Sequence, residues 1–371
     1  MSDTERVNDW LDSGALVHPC CGEPGFVDLV RAFQLIGGAQ DREGSDDNAR
    51  SLVALLSESR HRVLVLVDGL GAELIERLPA GAFLRNNLVR RLRAVFPATT
   101  ASALTTLATG LWPCDHCIPG WWTRLTGQEL SAVSLLFAER ASGLPLDALG
   151  IAPSTLYPVP SAWPDLDLDF HSVLPSEIAG SVFAGYLAGG TPRVPYTTLE
   201  RAMLITENLI AGADRPAFIY VYLPQLDTLL HGVGSSDSRV DQLLLDLDER
   251  LGRLAKALDS RARLAITSDH GLVDIQPDRV VTLRPDDSLA RLIACPPTGE
   301  PSVPVFHLRP GDDDAFAREF SARFGELFAL LSVEEAENMK LYGPGKLAPL
   351  MKERLGSFIG IAPRPAKIYL E

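Results

Sequence analysis

The 371-residue sequence is poor in cysteine, in positive charge and in long apolar runs, and each shortage removes a class of protein. Its five cysteines, an odd number spread as Cys20, Cys21, Cys114, Cys117 and Cys295, do not make a disulfide framework. Lys and Arg number 34 against 48 Asp and Glu, a net charge of −14, so a nucleic-acid backbone or an anionic lipid surface finds no general attraction here. No stretch reaches the roughly 18 apolar residues that cross a bilayer. The opening MSDTERVNDWLDSGALVHPCCGEPG breaks its apolar residues with charges, unlike a secretory leader. Internal repeats, low-complexity tracts and Gly/Ser-rich linkers are also missing. What remains is a soluble globular protein, expected in the cytoplasm, with no nucleic-acid duplex and no membrane as partner. An anionic substrate would need a local positive site, such as a metal centre.

The chain is 46% hydrophobic, enough for a large core. Three short runs, Val63 to Val67 (VLVLV), Phe218 to Leu223 (FIYVYL) and Leu264 to Thr267 (LAIT), are continuously apolar and rich in β-branched residues, as strands buried on both faces are. Helical patterns over Ala72–Leu78, Ala101–Ala108, Leu199–Leu209 and Arg239–Leu258 alternate with them. The alternation predicts an α/β fold, a mostly parallel sheet with helices on both faces. Gly120 to Gly190, rich in Pro, Gly, Ser and Asp, reads as long connections over the substrate face. The texture of 280–345 predicts a small α+β insertion. The expected organisation is an extension over 1–60 packed on the core, a catalytic domain over 61–279 and 346–371, and the insertion between its parts.

Each apolar run leads into residues suited to a metal. VLVLV is followed by Asp68-Gly69, FIYVYL leads through Pro224 to Asp227 and His231, and LAIT leads through Ser268 to Asp269-His270-Gly271. In open parallel sheets the site forms beyond the carboxyl ends of the strands, so these five side chains can converge. Asp227 and His231 are four apart, on one face of a helical turn. Mixed Asp and His ligation suits zinc, with manganese as a rival. The fourth element, FPATTASALTTLATG, sets Thr99 and Thr100 at a helix N-terminus, where unpaired N–H groups and the helix dipole favour a phosphate oxygen or an alkoxide.

The motifs LVDGLG, FPATTASALTTLATGLWPCDH, YLPQLDTLLHGVG and ITSDHG, in that order, resemble the alkaline phosphatase superfamily and, within it, the type I phosphodiesterase/nucleotide pyrophosphatase family. The resemblance implies an alkaline phosphatase-like fold and two divalent ions, usually zinc, about 4 Å apart. Carried over by motif, Asp68, Asp269 and His270 would hold the ion that also binds the nucleophile, and Asp227 and His231 the other. Thr100 matches the reactive threonine, with Thr99 as competitor. The implied chemistry is hydrolysis of a phosphate diester or nucleotide-like small molecule through a phospho-threonine.

Three departures qualify the match. Ala-Ser-Ala-Leu stands where the family has Phe-Pro-Asn-His after the threonine. Trp121 or Trp122 stands where nucleotide-specific members carry an Asn, so these rings are candidates for substrate binding or for packing. The family's second ion also takes a later His, and only His307, in a strand-like stretch, follows His270. Either the sequence stops short of that segment, or the second ion is held by an altered site. The Cys114-Asp115-His116-Cys117 fragment lacks a second Cys pair and is not expected to bind metal. The alternatives are a phosphomonoesterase on the same site, although no basic residue lies within the motifs, and a non-catalytic homologue that keeps one metal.

Overall fold

The computed structural model describes residues 1–20, 22–41 and 46–370, so Cys21 lies outside the described residues. Five strands form one all-parallel sheet in the order Arg193–Tyr196, Asp169–Pro175, Ala217–Leu223, His61–Val67, Ala262–Thr267. The two central strands carry the most apolar sequences because both their faces are covered. Side chains alternate between layers, as strand geometry requires. Val63, Val65 and Val67 join Ile219 and Val221 under the helices Leu199–Ala211 and Ser238–Leu258. Leu64 and Leu66 join Phe218, Tyr220 and Tyr222 on the other face, under Phe26–Ile36, Thr100–Thr109 and Val182–Ala188.

Two features depart from the expected organisation. Within 1–60, the Phe26–Ile36 helix is a covering layer of the main core, with nine residues buried. Its buried Arg31 is paired with Asp46 at 2.6 Å. Gly120–Gly190, expected to be connections, contains one strand of the main sheet, Asp169–Pro175, and ends just before another, Arg193–Tyr196.

A second, antiparallel sheet runs Ala329–Ser332, Phe358–Ile361, Val303–Phe306, Thr298–Glu300, Trp122–Leu125, Leu130–Val133, Ala138–Glu139. It draws strands from both sides of the 280–345 boundaries, and Val280–Leu283 pairs in parallel with Lys367–Leu370. Antiparallel partners so distant in sequence leave no local signature of their pairing. Buried Arg354 ties the late chain to the loops by donating to the carbonyls of Cys117, Thr155 and Leu156. Among the described residues no helix is long and apolar enough to cross a membrane.

Candidate metal and nucleophile site

The register of the central strands builds the site. Asp68 directly follows His61–Val67, and its N–H donates to the Leu223 carbonyl at 3.0 Å, which extends the ladder one step. Asp269 and His270 leave the neighbouring strand Ala262–Thr267. Asp227 and His231 sit on the Gln225–Val233 helix beyond the strand on the other side. All leave carboxyl ends of adjacent parallel strands.

Gly69 makes the close approach possible. Its φ of +73° lies in the left-handed region, and a Cβ there would stand 3.2 Å from Asp227 Cβ and 3.3 Å from Asp227 Oδ1. Gly71 and Gly271 likewise press together: a Cβ on Gly71 would meet the Gly271 Cα at 2.9 Å.

Asp68 and Asp269 are 2% and 1% exposed. Tyr222 donates its hydroxyl to Asp68 Oδ2, while Gly69 N–H and His270 N–H donate to Asp269 Oδ1 at 3.3 and 3.0 Å. The other oxygens, Asp68 Oδ1 and Asp269 Oδ2, are buried and have no hydrogen-bond partner among the described residues; nor has Asp227 Oδ1. Asp68 Oδ1 and Asp269 Oδ2 each lie 3.5 Å from His270 Nε2. Native interiors rarely strand carboxylate oxygens this way, and those of Asp68 and Asp269 beside the His270 imidazole are a donor set that fits a divalent cation. Donor atoms of Asp68, Asp269 and His270 all lie within 4.8 Å of one another.

The electrostatics agree. Burial, reinforced by the charge of Asp269, pushes the Asp68 carboxyl up to about 8. Burial also raises Asp227. For His270, burial disfavours the charged ring, but Asp269 and Asp68 outweigh it and the net shift is upward. Buried acids that resist ionisation around an imidazole that favours it describe a pocket short of positive charge.

Thr100 is the first residue of the Thr100–Thr109 helix, and its Oγ1 lies 2.9 Å from His270 Nε2. The Nδ1 of that ring lies 2.9 Å from the Gly271 carbonyl, so in the neutral ring the proton is on Nδ1 and Nε2 accepts from the Thr100 hydroxyl. Thr99, the competitor, instead donates to Glu300 Oε1 at 2.6 Å. Its hydroxyl is thus engaged by Glu300, while that of Thr100 meets His270.

The remaining candidates separate. Nε2 of His231 is 3.4 Å from Asp227 Oδ1, but the ring is 71% exposed, and these two form no group of three donors with a further His, Cys, Asp or Glu among the described residues. His307 is buried, accepts or donates at 2.8 Å with Thr298 Oγ1, and burial holds it down to about 4, as a packed structural histidine. His116 is fully buried between Thr106 Oγ1 and the Ile118 N–H, and burial drives it down to about 3. Cys114 and Cys117 are buried thiols. Trp121 donates its backbone N–H to Glu300 Oε1 at 2.7 Å, whereas the Trp122 ring is covered by the Arg140 guanidinium at 3.8 Å.

Sequence reasoning missed Tyr222 and Glu300. Tyr222 sits in the FIYVYL run, where a hydroxyl beside the strand end was a readable signal. Glu300, in CPPTGEPS, carries none, because it comes from the second sheet.

Comparison with known proteins places this geometry. A family model described as type I phosphodiesterase / nucleotide pyrophosphatase matches residues 62–364. Ectonucleotide pyrophosphatase/phosphodiesterase family member 3 of Mus musculus is 26% identical over 217 residues, 51% of this chain and 21% of that protein. Member 1 from Rattus norvegicus is 27% identical over 237 residues, 58% of this chain and 24% of that protein. The chain thus spans between a fifth and a quarter of the length of these two curated relatives. Among solved structures, murine ectonucleotide pyrophosphatase / phosphodiesterase 5 superposes with a TM-score of 0.63 at 18% identity, covering 84% of this chain and 81% of that one. Phosphonoacetate hydrolase from Sinorhizobium meliloti 1021 gives 0.58 at 16% identity, covering 84% and 83%. Both share the fold.

Proposed function

The chain belongs to the type I phosphodiesterase / nucleotide pyrophosphatase family, and from that premise we propose that it is a metal-dependent hydrolase of phosphate diesters or pyrophosphates with Thr100 as nucleophile. The observation that carries the reading is the set of buried carboxylate oxygens of Asp68 and Asp269, without hydrogen-bond partners, grouped around the His270–Thr100 contact. A threonine-to-alanine form of the murine member 5 is described as inactive and was solved with AMP, which supports a threonine nucleophile and a nucleotide-sized substrate.

Asp68, Asp269, His270 and Thr100 would hold one ion, and Asp227 with His231 a second, zinc being the best match to Asp and His donors. When bound, such ions supply the positive charge that lowers the pKa of the threonine hydroxyl and neutralises the phosphoryl group. Thr100 Oγ attacks phosphorus in line with the leaving oxygen; the Oγ–P bond forms as the bond to the leaving group breaks. Water then cleaves the phospho-threonine and returns the free hydroxyl. Tyr222 holds Asp68 in place, since burial keeps its own phenol protonated and donating. The amides at the start of the Thr100–Thr109 helix face the incoming phosphoryl oxygens.

Thr100→Ala abolishes turnover of bis-nitrophenyl phosphate while metal content is preserved. Turnover retained by Thr100→Ala would remove Thr100 from the role of nucleophile.

A second reading draws on the Asp227–His231 pair, which has only two donors of its own. On that reading the chain binds a single ion and is not a catalyst. Metal counting decides between them: two ions per chain with diester turnover support the hydrolase, and one ion without turnover supports the binding protein.

A further inference from the structure

Among the described residues six helices are capped by the side chain of the residue before them: Ser2, Ser181, Thr198, Asp237, Asp287 and Ser332. Thr198 is the instructive one. With φ −139° and ψ 153°, its hydroxyl accepts from the Arg201 N–H at 3.2 Å. Thr99 precedes the Thr100–Thr109 helix with nearly the same backbone, φ −146° and ψ 147°, yet makes no capping bond. Residue type and backbone are those of a good cap, so something else directs the hydroxyl. That partner is Glu300, whose Oε1 takes the Thr99 hydroxyl at 2.6 Å and the Trp121 N–H at 2.7 Å. A hydrogen bond to a carboxylate is stronger than a cap bond, so the competition goes to Glu300.

The consequence falls on the helix start. Ala101 and Ser102 are fully buried, and the leading amides of an α-helix have no partner within the helix itself. Among the described residues no side chain caps these leading amides, and they stand next in the chain to Thr100, whose Oγ1 is 2.9 Å from His270 Nε2. We infer that Glu300 is a positioning residue: it holds the Thr99 hydroxyl off the helix N-terminus, so that these amides remain open to the oxygens of a phosphoryl group. The inference rests on the phosphoryl-transfer reading above and assigns the second sheet a part in it, because Glu300 belongs to the Thr298–Glu300 strand.

The test is an epistasis experiment on the zinc-loaded full chain, read by bis-nitrophenyl phosphate hydrolysis and by calorimetric affinity for inorganic phosphate. Glu300→Ala frees Thr99 to cap the helix; kcat/KM falls about a hundredfold, the lower end of the range for removal of one oxyanion donor, and phosphate binding weakens in parallel. Adding Thr99→Val, which keeps the β-branched shape but has no hydroxyl to cap with, restores most of both losses. Glu300→Gln, whose amide oxygen still accepts from Thr99 and Trp121, loses far less than Glu300→Ala. If Glu300→Ala does not fold, Glu300→Met fills the space without an acceptor and takes its place. A double variant as impaired as Glu300→Ala overturns the inference, as does tight phosphate binding by Glu300→Ala. Wild type that binds phosphate but turns over no diester overturns the hydrolase reading while the affinity comparison still judges Glu300. Wild type that binds no phosphate overturns the inference itself.

Discussion

Replacing Asp68 by Asn should stabilise the metal-stripped protein while removing its metal binding. In the folded chain, burial and then Asp269 push Asp68 up to about 8, whereas in an unfolded chain a carboxyl titrates near 3.9. The folded pKa is the higher one, so Asp68 imposes no penalty below about pH 4, where both states are protonated, and a growing penalty as pH rises toward about 8. At pH 7 the gap of about three pH units corresponds to ~4 kcal/mol, an upper figure because Asp68 shares its charge with Asp227 and Asp269. At ~2.1 cal/mol/K of unfolding entropy per residue, ~4 kcal/mol on 371 residues is a rise in melting temperature of about 5 °C. The Asn oxygen can still accept from Tyr222, and its amide can donate to the partnerless Asp269 Oδ2. Calorimetric melting of both proteins after chelation, from pH 4 to pH 9, checks this. The wild type loses stability relative to Asp68→Asn as pH rises to about 8, and zinc reverses the order. A variant that melts below the metal-stripped wild type at pH 7, or a difference that does not vary with pH, refutes the electrostatic account of the pocket.

Three further outcomes follow from the geometry. His231→Ala lowers the metal content by up to one ion per chain, measured by mass spectrometry of the dialysed protein, and leaves the ion at Asp68 in place, since the two donor sets come from different strands. Gly69→Ala puts a Cβ 3.2 Å from Asp227 at a φ of +73°, so it destabilises by ~1–2 kcal/mol and displaces Asp227, lowering kcat more than His116 substitutions do. His116→Ala removes a fully buried ring with two hydrogen-bond partners; it costs about 2–4 kcal/mol in denaturant unfolding and leaves metal content unchanged.

The catalytic sheet was legible in the sequence where burial is two-sided. VLVLV and FIYVYL are apolar because helices cover both faces, whereas LAIT, also expected to be buried on both faces, forms a half-buried edge strand; the residues after all three had to fall at the strand ends. The helix that begins at Thr100 was legible from its run of small and apolar residues. The strands Asp169–Pro175 and Arg193–Tyr196 were not, since DFHSVLP carries polar residues within its apolar run and RVPY, at the sheet's edge, is short and holds a proline. The second sheet was hidden for a different reason: its short hairpins are joined to one another by distant pairings, Gly299 with Trp122 among them. Glu300 was invisible for that reason, while His231 was found but not its exposure, which depends on what packs nearby.

The long separations within the site also bear on how a nascent chain acquires it. A chain synthesised only as far as Leu258 holds Asp68, Thr100 and Asp227 but not Asp269 or His270, and Glu300 comes later still. The charges of Asp269 and His270 are therefore absent from the pocket while the ribosome is making the first four of the sheet's five strands. They meet only when Ala262–Thr267 adds to the open edge of His61–Val67, by which point the helical layers of the earlier strands can already be in place. Emergence of one strand late in translation therefore completes the acidic pocket, after the four strands that frame it have been made.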